Sequence, residues 1–528
     1  MKNTNNYSLL VDLFNEFREF IKPKVVNGVP DFTAAAMEKQ YMELKLLQNR
    51  LDAIDITGWR VAQQVDYQVV RAEMNGVEFD HRVLRQWARD PGFYNLTDGI
   101  YPRLLVHHSR SLSTWGLYKP EVPLSGEGAA DFRVKLQAVP KLFAQAKINL
   151  TEAAGDLATI AIRVKEKDIQ LLNGFKDPFT KHHPELLPYV EEAVAATEDY
   201  RNWLIAKKDK MTALAGVGKE NYNWWMKNVH LIPYTWDEFQ TMIQSEYDRA
   251  ITFLKLEEHK NRDISDFKLT SSEEENMRRQ RETAAKIMKF LREEEIITVP
   301  EDLPPLPPDQ YPRMWGKSAY LRPDYRGYFE ETNDREPMTN VLHVIFGHYY
   351  AGGRKIWYQM GDKRPIRSDI RLFDMHEARS EALAFGIEEW LLQAGLFDER
   401  PRSKEICYIW LAFRTARALS DLKMHSNEYT LADGIKNFSE KIPYNWAEAD
   451  GDAVWWDIEE TLRAPGHSSN YIVGRNMMQK LMAERSSQLG DDFTLRQFFD
   501  DFMSGGIIPI SLTRWEMTGL EDQIKKLW

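Results

Sequence analysis

The sequence has very few features that would cross-link the chain or hold it in a membrane. Its 528 residues include one cysteine, Cys407, so an internal disulfide framework is excluded and a reducing compartment is favoured. No window approaches the ~18 uninterrupted apolar residues that a membrane-spanning helix needs. The first 20 residues have the spacing of an amphipathic helix and lack the apolar run of a signal peptide. The sequence therefore predicts a cytoplasmic protein with no membrane partner.

The common sequence signatures of ligand sites are also absent. The chain contains no GxGxxG, P-loop, GxSxG or CxxC pattern. Its formal net charge is -11, and no long run of lysine and arginine offsets it, which argues against a nucleic-acid partner. With 43% hydrophobic and 12% aromatic residues, the chain can bury a large core. We therefore predict a globular protein, and the sequence leaves its oligomeric state open.

The 3.6-residue period of amphipathic helices dominates the sequence, and the alternation typical of strands is scarce. In the segment 271–295, Ser271 or Ser272 can cap a helix, acids fill its first turn, and an apolar stripe follows. The sequence therefore predicts an all-α fold. The predicted helices lie near residues 7–21, 34–54, 60–75, 132–172, 185–211, 235–258, 271–295, 378–395, 404–425 and 471–488.

A proline-rich stretch divides the chain. The segment 297–316 contains six prolines and cannot be helical throughout. We predict an N-terminal helical half at 1–296, a connecting loop at 297–323 and a C-terminal helical half at 324–528, which together form one continuous fold and carry the site in the C-terminal half. A loop that crosses a substrate cleft would have the same proline-rich composition.

Four ionisable residues share one face of the predicted helix YIWLAFRTARALSDLKMH at 408–425. At about 100° per residue, Arg414, Arg417, Asp421 and His425 fall at about 0°, −60°, −20° and +20°. They form either a solvated face or, because the rest of the helix is apolar, a buried stripe that must pair inside a cavity. Asp421 and His425 stand at i,i+4, where the carboxylate can orient the imidazole and raise its pKa.

Two further acids, Glu377 and Glu381, stand at i,i+4 in MHEARSEALAFGIEEW. Apolar residues follow Glu381, so its carboxylate needs a metal, an arginine or a substrate group as a partner. Glu377 has the position of a first-turn acid that the helix dipole favours. His230, beside two tryptophans, and His467, near Tyr471, are weaker candidates for positions that line a cleft.

The stretch NVLHVIFGHYYA at 340–351 holds two histidines, His343 and His348, five residues apart. On an ideal α-helix they would be separated by about 140°, so they can share a metal only if the helix is locally widened or broken. Gly347 makes such a change feasible. In HExxH zinc hydrolases a glutamate follows the first histidine, but here the residue is Val344, so the usual water-activating base is absent.

These motifs resemble those of the bacterial DUF885 family, all-α proteins similar to gluzincin metallopeptidases. The resemblance extends loosely over the N-terminal half and is specific in the C-terminal half. There the family's EGWALY corresponds to EALAFG from Glu381, its arginine-rich helix to RTARALSDLKMH, its PGxxxxYxxG to PGHSSNYIVG with Tyr471, and its C-terminal motif to FFDDFMSGGIIPI.

The resemblance implies a large helical gluzincin-like scaffold with a deep central cleft. It places His348 and Glu381 in metal-ligand positions, and it gives His343 a ligand position in one of two alignments of the family's HExxPGHH motif. Neither alignment retains the catalytic glutamate. His425 and Tyr471 match positions that would be expected to stabilise an oxyanion. The resemblance therefore implies a retained pocket whose hydrolytic chemistry has changed.

Three functions are compatible with these residues. The preferred one is an enzyme, of the lyase, isomerase or dehydratase type, that acts on a small anionic molecule by general acid–base chemistry and requires no cofactor. In it the base is His348, His343 or Glu381, and the acid is Tyr471 or His425. The substrate-binding residues are Arg414, Arg417 and Asp421.

The alternative function is a metal-dependent hydrolase with an altered zinc site. His343, His348 and Glu381 would then be the ligands, and Glu377 would be the candidate to replace the missing base. The third function is a non-catalytic descendant that binds a ligand or a partner protein.

Overall fold

The computed structural model describes residues 4–22, 24–26, 28–96, 117, 120–299, 327–350, 363–369 and 371–528. Most of the predicted connecting loop at 297–323 lies outside the described residues, so the division of the chain into two halves stays a prediction.

Helices make up nearly all of the regular structure in the described part of the N-terminal half. One two-residue hairpin, Val25–Val26 with Val29–Pro30, supplies the paired strands there. The α-helices are Thr4–Phe20, Ala34–Asp52, Val61–Phe79, Gln86–Arg89, Gly126–Asn149, Gly155–Asn173, Lys176–His182, Leu187–Lys207, Lys219–Asn228, Trp236–Lys260 and Glu273–Glu293. A π-helix, Asp80–Leu84, and the 3₁₀ turns Pro91–Phe93, Pro184–Leu186 and Lys208–Lys210 complete this half.

The described part of the C-terminal half is also helical, so the predicted all-α fold is confirmed. No helix among the described residues is both long enough and apolar enough to cross a membrane. The α-helices are Tyr328–Asn333, Met338–Val341, Glu377–Gln393, Ser403–His425, Leu431–Glu440, Asp452–Arg463, His467–Leu489, Leu495–Ser504, Ile510–Thr518 and Ile524–Leu527. The π-helix Leu342–Tyr350 and the 3₁₀ turns Pro443–Asn445 and Gly490–Asp492 lie between them.

The single helix predicted at 132–172 is two helices in the structure, Gly126–Asn149 and Gly155–Asn173. The backbone leaves the helical conformation at Leu150. In the connection, the N–H groups of Glu152 and Ala154 donate to the carbonyls of Ala88 and Arg89. These long-range hydrogen bonds replace the intrahelical ones, which the local apolar period could not reveal.

Three α-helices and one π-helix surround the candidate site. We name them the glutamate helix (Glu377–Gln393), the arginine helix (Ser403–His425), the tyrosine helix (His467–Leu489) and the histidine helix (Leu342–Tyr350). The tyrosine helix packs along both the glutamate helix and the arginine helix, and the histidine helix packs on the glutamate helix.

Two glycines allow these helices to approach closely. A Cβ at Gly347 of the histidine helix would lie 2.4 Å from both Cα and Cβ of Ala384. A Cβ at Gly474 of the tyrosine helix would lie 2.0 Å from the carbonyl oxygen of Ala378. Both distances are far shorter than a van der Waals contact. The histidine helix and the tyrosine helix can therefore pack this closely on the glutamate helix only with glycine at these positions.

The charged face of the arginine helix is buried. Arg414, Arg417, Asp421 and His425 are each at most 5% exposed, which excludes the alternative of a solvated face. Arg414 and Arg417 form ion pairs with Glu388 and Asp457. The prediction that a buried stripe must pair inside the protein therefore holds for these residues.

Candidate metal centre

The two histidines meet because the histidine helix is a π-helix. Its backbone hydrogen bonds run from residue i to residue i+5, so side chains five residues apart lie on one face. The Nε2 atoms of His343 and His348 are 3.1 Å apart, and the two rings are nearly perpendicular. The local widening that the spacing of five requires is thus present.

Glu381 of the glutamate helix completes a triangle of donor atoms. Its Oε2 atom lies 3.6 Å from His343 Nε2 and 3.3 Å from His348 Nε2. The side chain of Glu381 is 3% exposed, whereas that of His348 is 33% exposed. The triangle therefore has a buried carboxylate on one side and an accessible imidazole on the other.

This triangle fits a zinc ion. Three N or O ligands at about 2.0–2.1 Å from a tetrahedral zinc ion lie about 3.3–3.4 Å from one another. The three observed distances of 3.1, 3.3 and 3.6 Å surround that value. Two histidines and one glutamate also form a known set of catalytic zinc ligands that leaves one position open. In the described part of the chain, these residues are a cluster whose donor atoms all lie within 4.8 Å of one another.

Glu388 and Arg414 support the triangle from behind. Glu388 Oε1 lies 2.8 Å from His343 Nδ1, and Glu388 Oε2 accepts a 2.6 Å hydrogen bond from Arg414 Nη1. Burial raises the pKa of Glu388 to about 7, although Arg414 opposes the shift. The carboxylate fixes His343 with its Nδ1 atom turned away from the triangle and its Nε2 atom towards it.

Glu388 is the residue of this site that the sequence interpretation missed. It lies seven residues after Glu381, a spacing that returns to the same face of an α-helix within about 20°. This spacing is a signal from which Glu388 could be predicted, whereas the i,i+4 pair of Glu377 and Glu381 points to the preceding turn.

Tyr471 lies beside the triangle. Its ring stacks nearly parallel on the His343 ring, with centroids 6.2 Å apart. The guanidinium carbon of Arg417 lies 4.4 Å from the centroid of the same tyrosine ring. The structure therefore brings six predicted site residues into one region: His343, His348, Glu381, Tyr471, Arg414 and Arg417.

Asp421 has a partner at the start of the tyrosine helix, and His425 has one in the helix Asp452–Arg463. Asp421 Oδ2 accepts hydrogen bonds from the backbone N–H and the hydroxyl of Ser469, at 3.1 and 2.8 Å. His425 Nε2 lies 3.0 Å from the carbonyl oxygen of Thr461. Burial lowers the pKa of His425 to about 4, so the prediction that Asp421 raises this pKa is wrong. Burial also raises the pKa of Asp421 itself, to about 7, which weakens the anionic partner that the prediction assumed.

Glu377 belongs to a second polar cluster. It is the first residue of the glutamate helix, as predicted, but its side chain is buried. Its carboxylate bonds to His467 Nδ1 at 2.5 Å and accepts a 3.2 Å hydrogen bond from Asn470 Nδ2. That same Asn470 nitrogen lies 3.1 Å from His230 Nδ1. The structure thus joins His230 and His467, the two weaker candidates, through Glu377 and Asn470.

Solved structures share the fold of this chain. A structure described as that of "a putative lipoprotein of unknown function" from Shewanella oneidensis superposes with a TM-score of 0.71 and 15% sequence identity, over 97% of this chain and 99% of that one. A "putative lipoprotein" from Colwellia psychrerythraea superposes with a TM-score of 0.70 and 13% identity, over 98% of this chain and 99% of that one. No curated protein matches the sequence.

The descriptions of these neighbours contradict the predicted cytoplasmic location, which is wrong on that account. That prediction came from the single cysteine and from the lack of a long apolar run. Both observations restrict disulfides and membrane spans, but neither one determines a compartment.

The family comparison concerns the glutamate, arginine and tyrosine helices. Residues 385–517 match the model of DUF885, which is described as a bacterial protein of unknown function. The matched range begins four residues after Glu381 and includes Glu388, Arg414, Arg417 and Tyr471. The predicted resemblance to DUF885 is therefore confirmed over residues 385–517.

Proposed function

We propose that this chain is a metal-dependent hydrolase in which His343, His348 and Glu381 hold a divalent cation, with zinc as the preferred ion. The observation that supports this function is the triangle of donor atoms, with sides of 3.1, 3.3 and 3.6 Å. The sequence alone favoured a metal-free enzyme for two reasons: an i,i+5 histidine pair does not converge on an α-helix, and Val344 stands where zinc hydrolases have a glutamate. The π-helix removes the first objection.

When bound, zinc supplies a Lewis acid that polarises a carbonyl or phosphoryl oxygen and lowers the pKa of water. The protein's own residues prepare the site for it. The Glu388 carboxylate, which accepts a hydrogen bond from Arg414, lies against His343 Nδ1 and supports the orientation of the ring. Tyr471 is held beside His343, and the Arg417 cation over its ring favours negative charge nearby. A phenol in that position can donate a hydrogen bond to an oxyanion that develops in the reaction.

A second candidate function uses the same residues without a metal. Glu388 and His343 form a carboxylate–imidazole pair at 2.8 Å, an arrangement that can activate His343 as a general base. The absence of a glutamate at Val344 and the engagement of Glu377 with His467 and Asn470 favour this candidate. It corresponds to a lyase, isomerase or dehydratase, for which Tyr471 would be the acid.

Metal analysis of the full chain distinguishes the two candidates. We expect one zinc ion per chain, and we expect His348→Ala and Glu381→Gln to weaken zinc binding about 100-fold or more, since each removes one of three ligands. His259→Ala, which removes an exposed histidine near the C-terminal end of the Trp236–Lys260 helix, is the matched control and should leave zinc binding unchanged. If the purified chain binds no zinc, or if both ligand variants bind it as the unmodified chain does, the metal centre is refuted.

A further inference from the structure

A groove lies where the π-helix Asp80–Leu84 and the helix Lys219–Asn228 come together. Its volume is about 270 Å³. The chain turns back at Arg85, which has the left-handed angles φ 42° and ψ 48°, and the turn brings two arginines to the groove. We name it the Arg82/Arg89 groove. Six residues line it, and none of them is an acid: Arg82, Val83, Arg89, Gly216, Val217 and Asn221.

Backbone carbonyls hold the guanidinium of Arg89 in place. Its Nη1 atom donates to the carbonyl oxygens of Val83 and Leu84, at 2.8 and 3.4 Å. Its Nη2 atom donates to the carbonyl oxygen of Leu214 at 2.5 Å. Among the described residues, no carboxylate forms an ion pair with this guanidinium, and burial lowers the pKa of Arg89. Neutral groups therefore fix the position of this cation, and no ion pair cancels its charge.

Arg82 is held by two aromatic rings and an amide. Its guanidinium carbon lies 4.8 Å from the centroid of the Trp224 ring and 5.9 Å from that of the Phe79 ring. Its Nη1 atom donates to Asn221 Oδ1 at 3.4 Å. The side chain is exposed, and within the described part of the chain no carboxylate forms an ion pair with it. Arg82 thus contributes a second cation that neutral groups hold at the groove.

The acids that act on these two arginines are paired with other cations. Electrostatic attraction links Arg82 to Glu78. It also links Arg89 to Glu152 and Asp90. Each of the three acids forms an ion pair with a different residue: Glu78 with Lys45 at 2.8 Å, Glu152 with Arg85 at 2.7 Å, and Asp90 with Arg463 at 2.6 Å. Three acids thus serve three other cations, so the two arginines of the groove are in excess and the groove is net positive.

The helix Lys219–Asn228 begins at the groove. Its N-cap is Gly218, which has no side chain to cap the helix, so the partial positive charge of this helix end adds to that of the arginines. Glu220, in the first turn, is exposed and does not line the groove. The N–H of Gly218 donates to the carbonyl oxygen of His425 at 2.8 Å, which fixes this wall to the end of the arginine helix. An anion in the groove would therefore meet positive groups that are already in position.

We propose that the Arg82/Arg89 groove binds the phosphate group of a small organic molecule. A guanidinium presents its N–H groups in a planar fork that matches two phosphate oxygens, and two cations suit a phosphate better than a singly charged carboxylate. Pockets for drug-sized ligands begin at about 300 Å³, so a groove of 270 Å³ accommodates a phosphate with a small organic remainder. His343, His348 and Glu381 do not line the groove. This site is therefore separate from the proposed metal centre and does not rest on it.

The test is isothermal titration calorimetry of the full chain at fixed ionic strength, with inorganic phosphate, methyl phosphate and acetate as probes. The unmodified chain and His348→Ala are both titrated, so that phosphate bound to zinc is recognised. We expect saturable binding of both phosphates and much weaker binding of acetate. Arg82→Met should weaken phosphate binding about tenfold or more, since it removes a charged donor, and Arg82→Lys should recover part of the loss. Arg133→Met is the matched control, because Arg133 is an exposed arginine of the helix Gly126–Asn149 that does not line the groove.

The outcomes separate this groove from the metal centre. No saturable phosphate binding, or the same affinity in Arg82→Met as in the unmodified chain, would overturn the site even if zinc binds. Acetate bound as tightly as phosphate would refute the assignment to a phosphate, and much weaker binding of methyl phosphate than of inorganic phosphate would refute the organic remainder. Phosphate bound by His348→Ala and lost from His348→Ala/Arg82→Met would support the site whether or not the chain is a zinc hydrolase.

Discussion

Replacement of Glu388 by glutamine tests two roles of this residue: it positions a histidine of the proposed metal centre, and it stabilises the fold. Glu388 contacts both His343 Nδ1 and Arg414 Nη1, at 2.8 and 2.6 Å. Loss of a carboxylate behind a metal-binding histidine typically lowers metal affinity 10–100-fold, or about 1.4–2.8 kcal/mol. Loss of one partner of a buried ion pair costs about 3–5 kcal/mol of unfolding free energy, since it leaves the other charge uncompensated. We expect both effects in Glu388→Gln.

A second substitution tells the two effects apart. The double variant Glu388→Gln/Arg414→Met removes the unpaired cation, so most of the lost stability should return while zinc affinity stays low. Glu389→Gln is the matched control. Glu389 is the next residue of the same helix, and it pairs with Arg249 and Arg475 on another face, so its loss should lower stability and leave zinc affinity unchanged. Competition with a zinc chelator measures affinity, and urea unfolding measures stability. Unchanged zinc affinity in Glu388→Gln would refute the positioning role.

Three further results are expected. Gly347→Ala places a Cβ 2.4 Å from Ala384, and this overpacking should lower the free energy of unfolding in urea by roughly 1–3 kcal/mol. Because overpacking also shifts the backbone, zinc binding should weaken. Gly126→Ala is the control, since a Cβ there meets open space and should cost no stability through packing. Burial raises the pKa of Glu389, but its two arginine partners outweigh burial and lower it from 4.5 to about 2. Its contribution to stability should therefore be complete above about pH 4.5 and disappear as the pH falls to about 2, and Glu389→Gln should lack that part of the acid dependence. Removal of zinc with a chelator should lower the thermal unfolding midpoint, and added zinc should restore it. If free zinc was at 100 times its dissociation constant, the lost stabilisation corresponds to about 2.7 kcal/mol.

Patterns of local spacing account for the parts of the fold and the site that could be predicted. The apolar period predicts the arginine helix at 404–425, and the structure has it at Ser403–His425. The i,i+5 spacing of His343 and His348 predicts that a shared metal requires a widened helix, which is what the structure shows. The companion of this pair, Glu381, could be recognised because a carboxylate in an apolar sequence needs a partner.

Long-range contacts account for what could not be predicted. His425 stands four residues after Asp421, which locally predicts a raised pKa, but burial by other helices lowers it. Glu377 is bonded to His467 and Asn470, about ninety residues away, and no local pattern indicates that pairing. The break after Asn149 likewise depends on backbone carbonyls near residue 88. Such effects depend on which helices pack together, and a single sequence does not specify this.

Because Leu342–Tyr350 is a π-helix, the proposed metal centre depends on the backbone hydrogen bonds of this segment rather than on how whole domains are placed. If this segment adopted the α conformation, His343 and His348 would turn to about 140° apart and the three donors would separate, with no movement of the glutamate helix. A chain one residue shorter between the two histidines would need no π-helix to present the same pair, because residues four apart already share a face of an α-helix. The extra residue therefore makes the assembly of this centre conditional on the i to i+5 hydrogen bonding of this one segment.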